Sequence, residues 1–253
     1  MKFYKKFFSC CLLSLSTLAQ SFQDKDLTFS LGAGNFFKPR YEGSQSYESQ
    51  PLPYVSLNYQ DLLIINPYQG MVFNYWHHEN ITLGVGLDYN YGREESDNIK
   101  FQGLGNIDDA MQLKLTGKYQ YLDFNTEMTV AKDIIDGHDG YTVTPEFNYS
   151  HTIPDYYAFI KLGVKANYAN SGYMQSYFGV SPAQASRSSY APYYARPGWK
   201  DITLNAFAMR YLAKQWSVNG NIGYKFLLGD AATSPLVEDR NQYYFITFVA
   251  YHF

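Results

Sequence analysis

The chain has 253 residues, 26 of them Tyr, with 19% aromatic and 17% charged residues and a formal net charge of −3. A balance this close to neutral leaves no electrostatic footprint for nucleic acid, so no such partner is expected. The length fits one large domain or two small ones, and Tyr usage lies far above, charge well below, that of an ordinary soluble domain.

The first residues read MKFYKKFFSCCLLSLSTLAQSFQDKD. Lys2, Lys5 and Lys6 precede an apolar run over 7–18, and Ala19-Gln20-Ser21 supplies the small-x-small pattern that signal peptidase reads. A secretory signal is expected over 1–21, cleaved after Ser21 or, as second choice, after Ala19; its apolar run is too short to span a bilayer. Cys10 and Cys11 are the only cysteines and lie inside that run. The exported domain over 22–253 therefore has no thiol, which excludes disulfides, thiol catalysis and cysteine metal sites. No later stretch is apolar over the ~18 residues of a spanning helix, so any membrane crossing must use strands.

Alternation with period two then runs through the chain. In ITLGVGLDYNYG, Ile81, Leu83, Val85, Leu87, Tyr89 and Tyr91 oppose Thr82, Asp88 and Asn90. In AMQLKLTGKYQY, Met111, Leu113, Leu115, Tyr119 and Tyr121 oppose Gln112, Lys114, Thr116, Lys118 and Gln120. YTVTPEFNYS, YAFIKLGVKANY and WSVNGNIGYKFLLGD repeat the pattern. Such runs are about ten residues long, the length of a tilted membrane strand, whereas soluble strands are commonly about five or six. Tyrosines gather at the ends of the apolar faces, as in an interfacial girdle. Strands are expected near 26–34, 52–59, 61–66, 70–77, 80–92, 109–121, 123–134, 140–151, 156–169, 199–212, 215–229 and 242–253. The weakest are 61–66, apolar on both faces, and 199–212, whose phase Arg210 interrupts; without the 61–77 hairpin the count would be ten.

In hydrocarbon only helices and closed barrels satisfy every backbone group. The expected fold is therefore an all-β transmembrane antiparallel barrel of about twelve strands in the outer membrane of a Gram-negative cell, in contact with its lipids. Short turns near Gln60-Asp61, His78-Glu79-Asn80, Leu122-Asp123, Ile153-Pro154-Asp155 and Lys214-Gln215 would face the periplasm together with both termini. Longer links at 35–51, 93–108, 170–198 and 230–241 would face outward, as outer-membrane barrels arrange them.

Candidate functional residues follow from the polar faces. Asp88, Lys114, Lys118, Glu127, Asp133, Glu146, Lys161, Lys165 and Lys225 would face the lumen and pair, because isolated charges there are costly; the alternative is a solute-selective conduit. In DIIDGHDGY, Asp133, Asp136, His138 and Asp139 share one short loop. One His among three acids lacks paired-ligand spacing, so a rim turn is expected rather than a metal site. His77 and His78 sit at a turn, His151 ends a strand, and His252 is penultimate. With no G-x-S-x-G elbow, the chain is read as a non-enzyme without a cofactor, a membrane-embedded hydrolase being the least favoured alternative.

Three stretches go beyond barrel patterning: PRYEGSQSYESQPLPYVSLNY at 39–59, YFGVSPAQASRSSYAPY at 177–193 and LLGDAATSPLVEDRNQYYFITFVAYHF at 227–253. Together with GHDGY at 137–141 they resemble the MipA/OmpV family of MltA-interacting outer-membrane proteins. Ser186-Arg187-Ser188-Ser189-Tyr190 departs from the Ser-Gly-Leu-like continuation common in that family. The resemblance implies a scaffold that links a lytic transglycosylase and a peptidoglycan synthase to the outer membrane. Uptake of small solutes or antibiotics and surface adhesion are the alternatives it suggests. The Gly and Pro of these stretches are expected to order the long links over or into the barrel mouth. Finally, YYFITFVAYHF places Val249, Tyr251 and Phe253 on one face, resembling the C-terminal signal read by the barrel-assembly machinery.

Overall fold

The computed structural model describes residues 27–135 and 137–253; the expected signal segment over 1–21 and Asp136 lie outside them. Twelve strands form a closed antiparallel barrel in which each strand neighbours the next and β12 closes on β1. In order they are β1 (Leu27–Pro39), β2 (Tyr47–Tyr59), β3 (Leu63–Asn66), β4 (Gly70–His78), β5 (Ile81–Asn90), β6 (Ala110–Tyr121), β7 (Phe124–Asp133), β8 (Tyr141–Ile153), β9 (Ala158–Ala169), β10 (Gly198–Ala213), β11 (Trp216–Leu227) and β12 (Asn241–His252). No helix among the described residues is long and apolar enough to cross a membrane.

The inside-out pattern follows from the alternation. On β12, Tyr243, Phe245 and Val249 are exposed on the outer face, whereas Ile246, Phe248 and Ala250 are buried inside. Trp216, Val218 and Ile222 of β11 are likewise outside, and Ser217 and Asn219 are buried within. An apolar exterior around a largely polar interior is what a barrel in hydrocarbon requires.

The expected count of twelve holds, since the 61–77 hairpin is present. Two other expectations need correction. The first link is not 35–51 but the seven residues 40–46, because β1 and β2 stay in register up to Pro39↔Tyr47. Pro51 is expected to punctuate that link, yet it lies in β2 like Pro53, and their missing donors can be tolerated on an edge that carries no ladder. Arg210 does not interrupt the phase of β10: it is exposed on the outer face opposite Ala158 and Val218, near the end with the short turns, where a long side chain can carry its charge to the interface.

At the other end the links fold inward. The segment after β9 forms α1 (Ser171–Phe178) and the short α2 (Pro182–Ala185), and that after β11 forms α3 (Gly229–Ala232). The α1 N-terminus is capped by Asn170, whose Oδ1 accepts from Tyr173 N at 3.2 Å and from Tyr141 N at 2.9 Å. In α2, Ser181 and Gln184 make a reciprocal capping box, with Pro182 in the first turn where its missing N–H costs nothing.

Candidate functional site

The inward-folded links build a cap with its own apolar core. Tyr173, Met174 and Phe178 of α1 pack with Ala169, Ala195, Leu227 and Ala231. Beside them Phe101 and Leu104 of the β5–β6 link pack with Val180 and Leu236. A fully buried aromatic or Met side chain contributes about 1.5–3 kcal/mol, so the cap is a folded layer and not a set of loose loops.

The parts of those stretches that lie outside the strands, 40–46, 177–193 and 228–240, contribute to this cap. In PRYEGS, Tyr41 donates to Glu238 Oε2 at 3.0 Å and its ring meets Phe101 edge-on at 4.7 Å. Gly43 adopts φ +98°, its N–H donates to Gln242 Oε1 at 3.1 Å, and its carbonyl accepts from Glu238 N and Asp239 N at 2.8 and 3.0 Å. A side chain there would strain the backbone and collide with Val237. In YFGVSPAQA, Gln184 Nε2 donates to Leu104 O at 2.6 Å and so pins α2 to the β5–β6 link. In LLGDAATSPLV, Ser234 Oγ donates to Phe178 O at 2.6 Å, and Asp230 forms a two-point pair with Arg196 at 3.0 and 3.1 Å. Lys100 pairs with Glu238 across the cap and, as the largest influence, holds that carboxyl below the ordinary carboxylate range.

The GHDGY turn closes the same end. His138 is buried, with its ring 5.1 Å from that of Tyr173 and 5.7 Å from that of Tyr177. Its Nδ1 accepts from Gly140 N at 3.0 Å, and Nε2 lies 3.1 Å from the Gln112 amide. Both ring nitrogens thus face N–H groups, and burial lowers the ring's pKa despite Asp133. Asp133 Oδ2 accepts from His138 N and Asp139 N at 2.7 and 3.0 Å. Asp133 Oδ1 accepts from Ile135 N at 3.1 Å. Asp139 points away to Lys132 at 2.9 Å. The described acids of this loop therefore serve separate partners, as in a rim turn.

Beneath the cap the lumen carries the charges. Asp88 and Lys114 pair at 3.2 Å, Lys118 and Glu127 at 3.8 Å, and Glu146 and Lys161 at 3.5 Å. Two candidates depart from this ladder. Asp133 is engaged by loop N–H groups at the rim. Lys165 stands opposite Glu146 in the β8–β9 register but has no carboxylate within 4.0 Å among the described residues. Lys225 pairs with a residue that period-two reading missed: Glu42, in the β1–β2 link, lies 2.8 Å from Lys225 and 2.7 Å from Lys200. Lys200 also meets Asp201 at 2.6 Å, and Asp201 accepts from Asn167 Nδ2 at 2.5 Å.

Lys200 and Asp201 are sequence neighbours, and strict alternation would put one of them in lipid. A β-bulge between Trp199 and Asp201 turns both inward, where both are buried. Burial alone would raise the Glu42 pKa, but Lys200 and Lys225 outweigh it and hold the carboxyl ionised below its ordinary range. The cap is thus tied to the wall by a loop carboxylate set between two lumen ammonium groups. The adjacent Lys-Asp after Trp199 was the only trace of this in the sequence.

At the opposite end the last strand ties the seam. His252 bridges Ser30 of β1 and Ser217 of β11, each at 2.8 Å. Ser217 is fully buried and its Oγ also accepts from Asn219 Nδ2 at 2.9 Å. Phe253 N donates to Phe29 O at 3.0 Å and its ring lies 5.3 Å from that of Phe29. Tyr251 meets Trp216 and Phe253 edge-on at 5.1 and 4.8 Å, and Val249 faces outward.

A sequence profile described as "MltA-interacting protein MipA" matches residues 31–253. Outer membrane protein OmpV of Vibrio cholerae is 26% identical over 172 residues, 68% of this chain. Outer membrane protein Omp26La of Vibrio anguillarum is 26% identical over 174 residues, again 68% of this chain. The matched segments span 65% of each Vibrio protein's own length. Among solved structures, KdgM porin superposes over 88% of this chain and 98% of its own, with 11% identity and a TM-score of 0.43. An anion-selective porin from Comamonas acidovorans covers 90% of this chain and 98% of its own, with 10% identity and a TM-score of 0.40.

Proposed function

The chain belongs to the MltA-interacting protein MipA family and resides in the outer membrane, and from that membership we infer a scaffold that holds peptidoglycan-remodelling enzymes, a lytic transglycosylase foremost, at the membrane's inner side. The observation that carries this reading is the packed cap of α1, Phe101, Leu104 and Leu236 over a lumen cross-tied by Glu42, Lys200 and Lys225. A porin needs an open aqueous path, whereas an anchor needs a sealed one. In this reading the termini and the short turns face the periplasm and the cap faces outward. Neither a catalytic residue nor a cofactor is assigned.

Docking would fall on the turns around His77 to Asn80 and Ile153 to Asp155, the first of which presents exposed His78 and Glu79. The experiment is a pull-down of a purified lytic transglycosylase and a peptidoglycan synthase by the barrel, with both turns scrambled in turn. Binding lost on scrambling, with heat-modifiable migration unchanged, supports the scaffold. Binding that survives both changes moves the docking surface elsewhere.

A second reading, a solute channel that opens when the cap lifts, has one observation in its favour: Lys165 presents an ammonium group to the lumen without a carboxylate partner within 4.0 Å among the described residues. Steady conductance in planar bilayers, with ion preference altered by Lys165→Glu and no enzyme recovered, would put the channel ahead of the scaffold.

A further inference from the structure

We propose that the barrel wall has a lateral portal between β2 and β5, above the β3–β4 hairpin, through which the hydrocarbon chain of a membrane lipid reaches an aromatic wall inside the lumen. The opening follows from the short β3. Of the 13 residues of β2 only Leu57, Asn58 and Tyr59 pair with β3. The four residues of β3 pair with the first four of β4, and β5 leaves β4 after Leu87. Residues 47–56 of β2 and 88–90 of β5 therefore have no strand paired to their hairpin-side edges. Neighbouring strands elsewhere in the barrel are zipped over most of their length.

The composition of the β2 edge fits such an opening. An unpaired N–H in hydrocarbon costs several kcal/mol, about as much as a lost hydrogen bond made in vacuum. The β1–β2 register runs unbroken through Asn35↔Pro51 and Ala33↔Pro53. That fixes the two missing donors on the other edge, the open one, where they remove two of the groups that lipid would leave unsatisfied. Gln50 shares the inner face with Leu52 and Tyr54 yet is exposed, as a residue beside a gap would be.

Behind the gap stands an apolar part of the inner wall. Tyr54 stacks on Phe248 at 4.3 Å, Phe36 meets Tyr244 edge-on at 6.3 Å, and Leu52 packs on the Ile246, Phe248 and Ala250 cluster. Tyr68, in the β3–β4 turn, leans over the hairpin to within 6.5 Å of Tyr54 and 6.3 Å of Phe248, ring to ring, while 42% exposed. Its turn is fixed: Asn66 Oδ1 accepts from Tyr68 N and Gln69 N, both at 2.9 Å, and Lys114 Nζ donates to Gln69 O at 3.0 Å. Tyr68 is thus the gate residue. The occupant follows from what lies outside: Val55 on the unpaired part of β2, and Met71 and Phe73 on the hairpin below, are exposed on the outer face where the bilayer stands, so the gap opens onto lipid chains.

The test uses the full exported chain folded into dioleoyl phosphatidylcholine vesicles, with benzoylphenylalanine placed singly at Val55, Gln50, Leu52 or Lys161. Heat-modifiable migration selects folded barrels before irradiation, and intact mass reads the adducts. Lipid adducts are expected at Val55, Gln50 and Leu52 and absent at Lys161, which faces the polar side of the lumen. Tyr68→Ala should raise the yield at Leu52 and leave Val55 unchanged. Adducts at Val55 with none at Gln50 and Leu52 would overturn the portal. Equal labelling at Lys161 would overturn it too, since lipid would then be filling the lumen at large. An unchanged Leu52 yield in Tyr68→Ala would remove Tyr68 as the gate.

Discussion

Glu42→Gln is the sharpest probe of how the cap is held. The substitution keeps the shape of the side chain and removes its charge. Lys200 retains Asp201 at 2.6 Å, but Lys225 loses its carboxylate, since Glu42 at 2.8 Å is its only ion-pair partner among the described residues. Breaking a buried pair from one side costs about 3–5 kcal/mol because a charge is left uncompensated. The Glu42 and Lys225 side chains keep 19% and 27% of their surface in contact with solvent, which puts the expectation at the low end, about 3 kcal/mol, or on the order of a hundredfold in the ratio of closed to open cap. The strands do not depend on the pair, so heat-modifiable migration should be unchanged. The effect should appear in hydrogen exchange, at Gly43 N, which donates to Gln242, and at Glu238 N and Asp239 N, which donate to Gly43 O. Brief conductance events in planar bilayers should appear as well. Adding Lys225→Met should recover part of the protection, because the uncompensated charge is then gone. Exchange at these three amides that matches the unsubstituted chain would refute the tether, and full protection in Lys225→Met alone would not rescue it.

Three further outcomes are expected. Because burial depresses the His138 pKa below its ordinary 6.5, the unfolded segment binds the proton more readily; the cap's stability from this group is full above that value and is lost as pH falls through the lower, folded one. Exchange at Gly140 N should accelerate over that window, and His138→Gln should flatten the dependence, with Asp133, Lys132, Asp139, Tyr173 and Tyr177 the other titratable groups facing the ring. Phe178→Ala empties a site that is 1% exposed and should cost about 3–5 kcal/mol, read as faster proteolysis of the 170–197 link in a barrel that still migrates as folded. Deleting Phe253 removes the Phe29 contacts at the seam and should leave less folded barrel in the membrane; normal amounts would count against an assembly signal.

The barrel was legible because lipid outside and a polar lumen inside impose one period on every strand, and a period of two survives in sequence wherever the strand is regular. Errors came where a local rule was true but pointed the wrong way. Pro51 does break ladders, yet here the ladder it would break is missing. Arg210 is a charge on an apolar face, yet it sits at the rim. The lumen site was harder to read because two of its three unread members depend on a bulge at Trp199 to Asp201, and the third, Glu42, comes from a link with no periodicity.

The same contrast bears on function. Alternation and length suffice for a barrel, and many sequences supply them. What sets this chain apart from a generic barrel, the stretches at 39–46, 137–141, 177–185 and 227–237, is spent on Gly43 at φ +98°, the Ser181 and Gln184 capping box, the Ser234 bond to Phe178, and the Glu42 tether. If a scaffold's partner docks on the short turns, the capped end has no part in docking, and its packed core and Glu42 tether would serve to close the mouth. The cap and the docking turns are then separable, and a chain with Glu42→Gln should keep its partner while it loses its seal. Loss of partner and seal together would mean that the cap shapes the short-turn end through the wall, and that sealing and docking are one property.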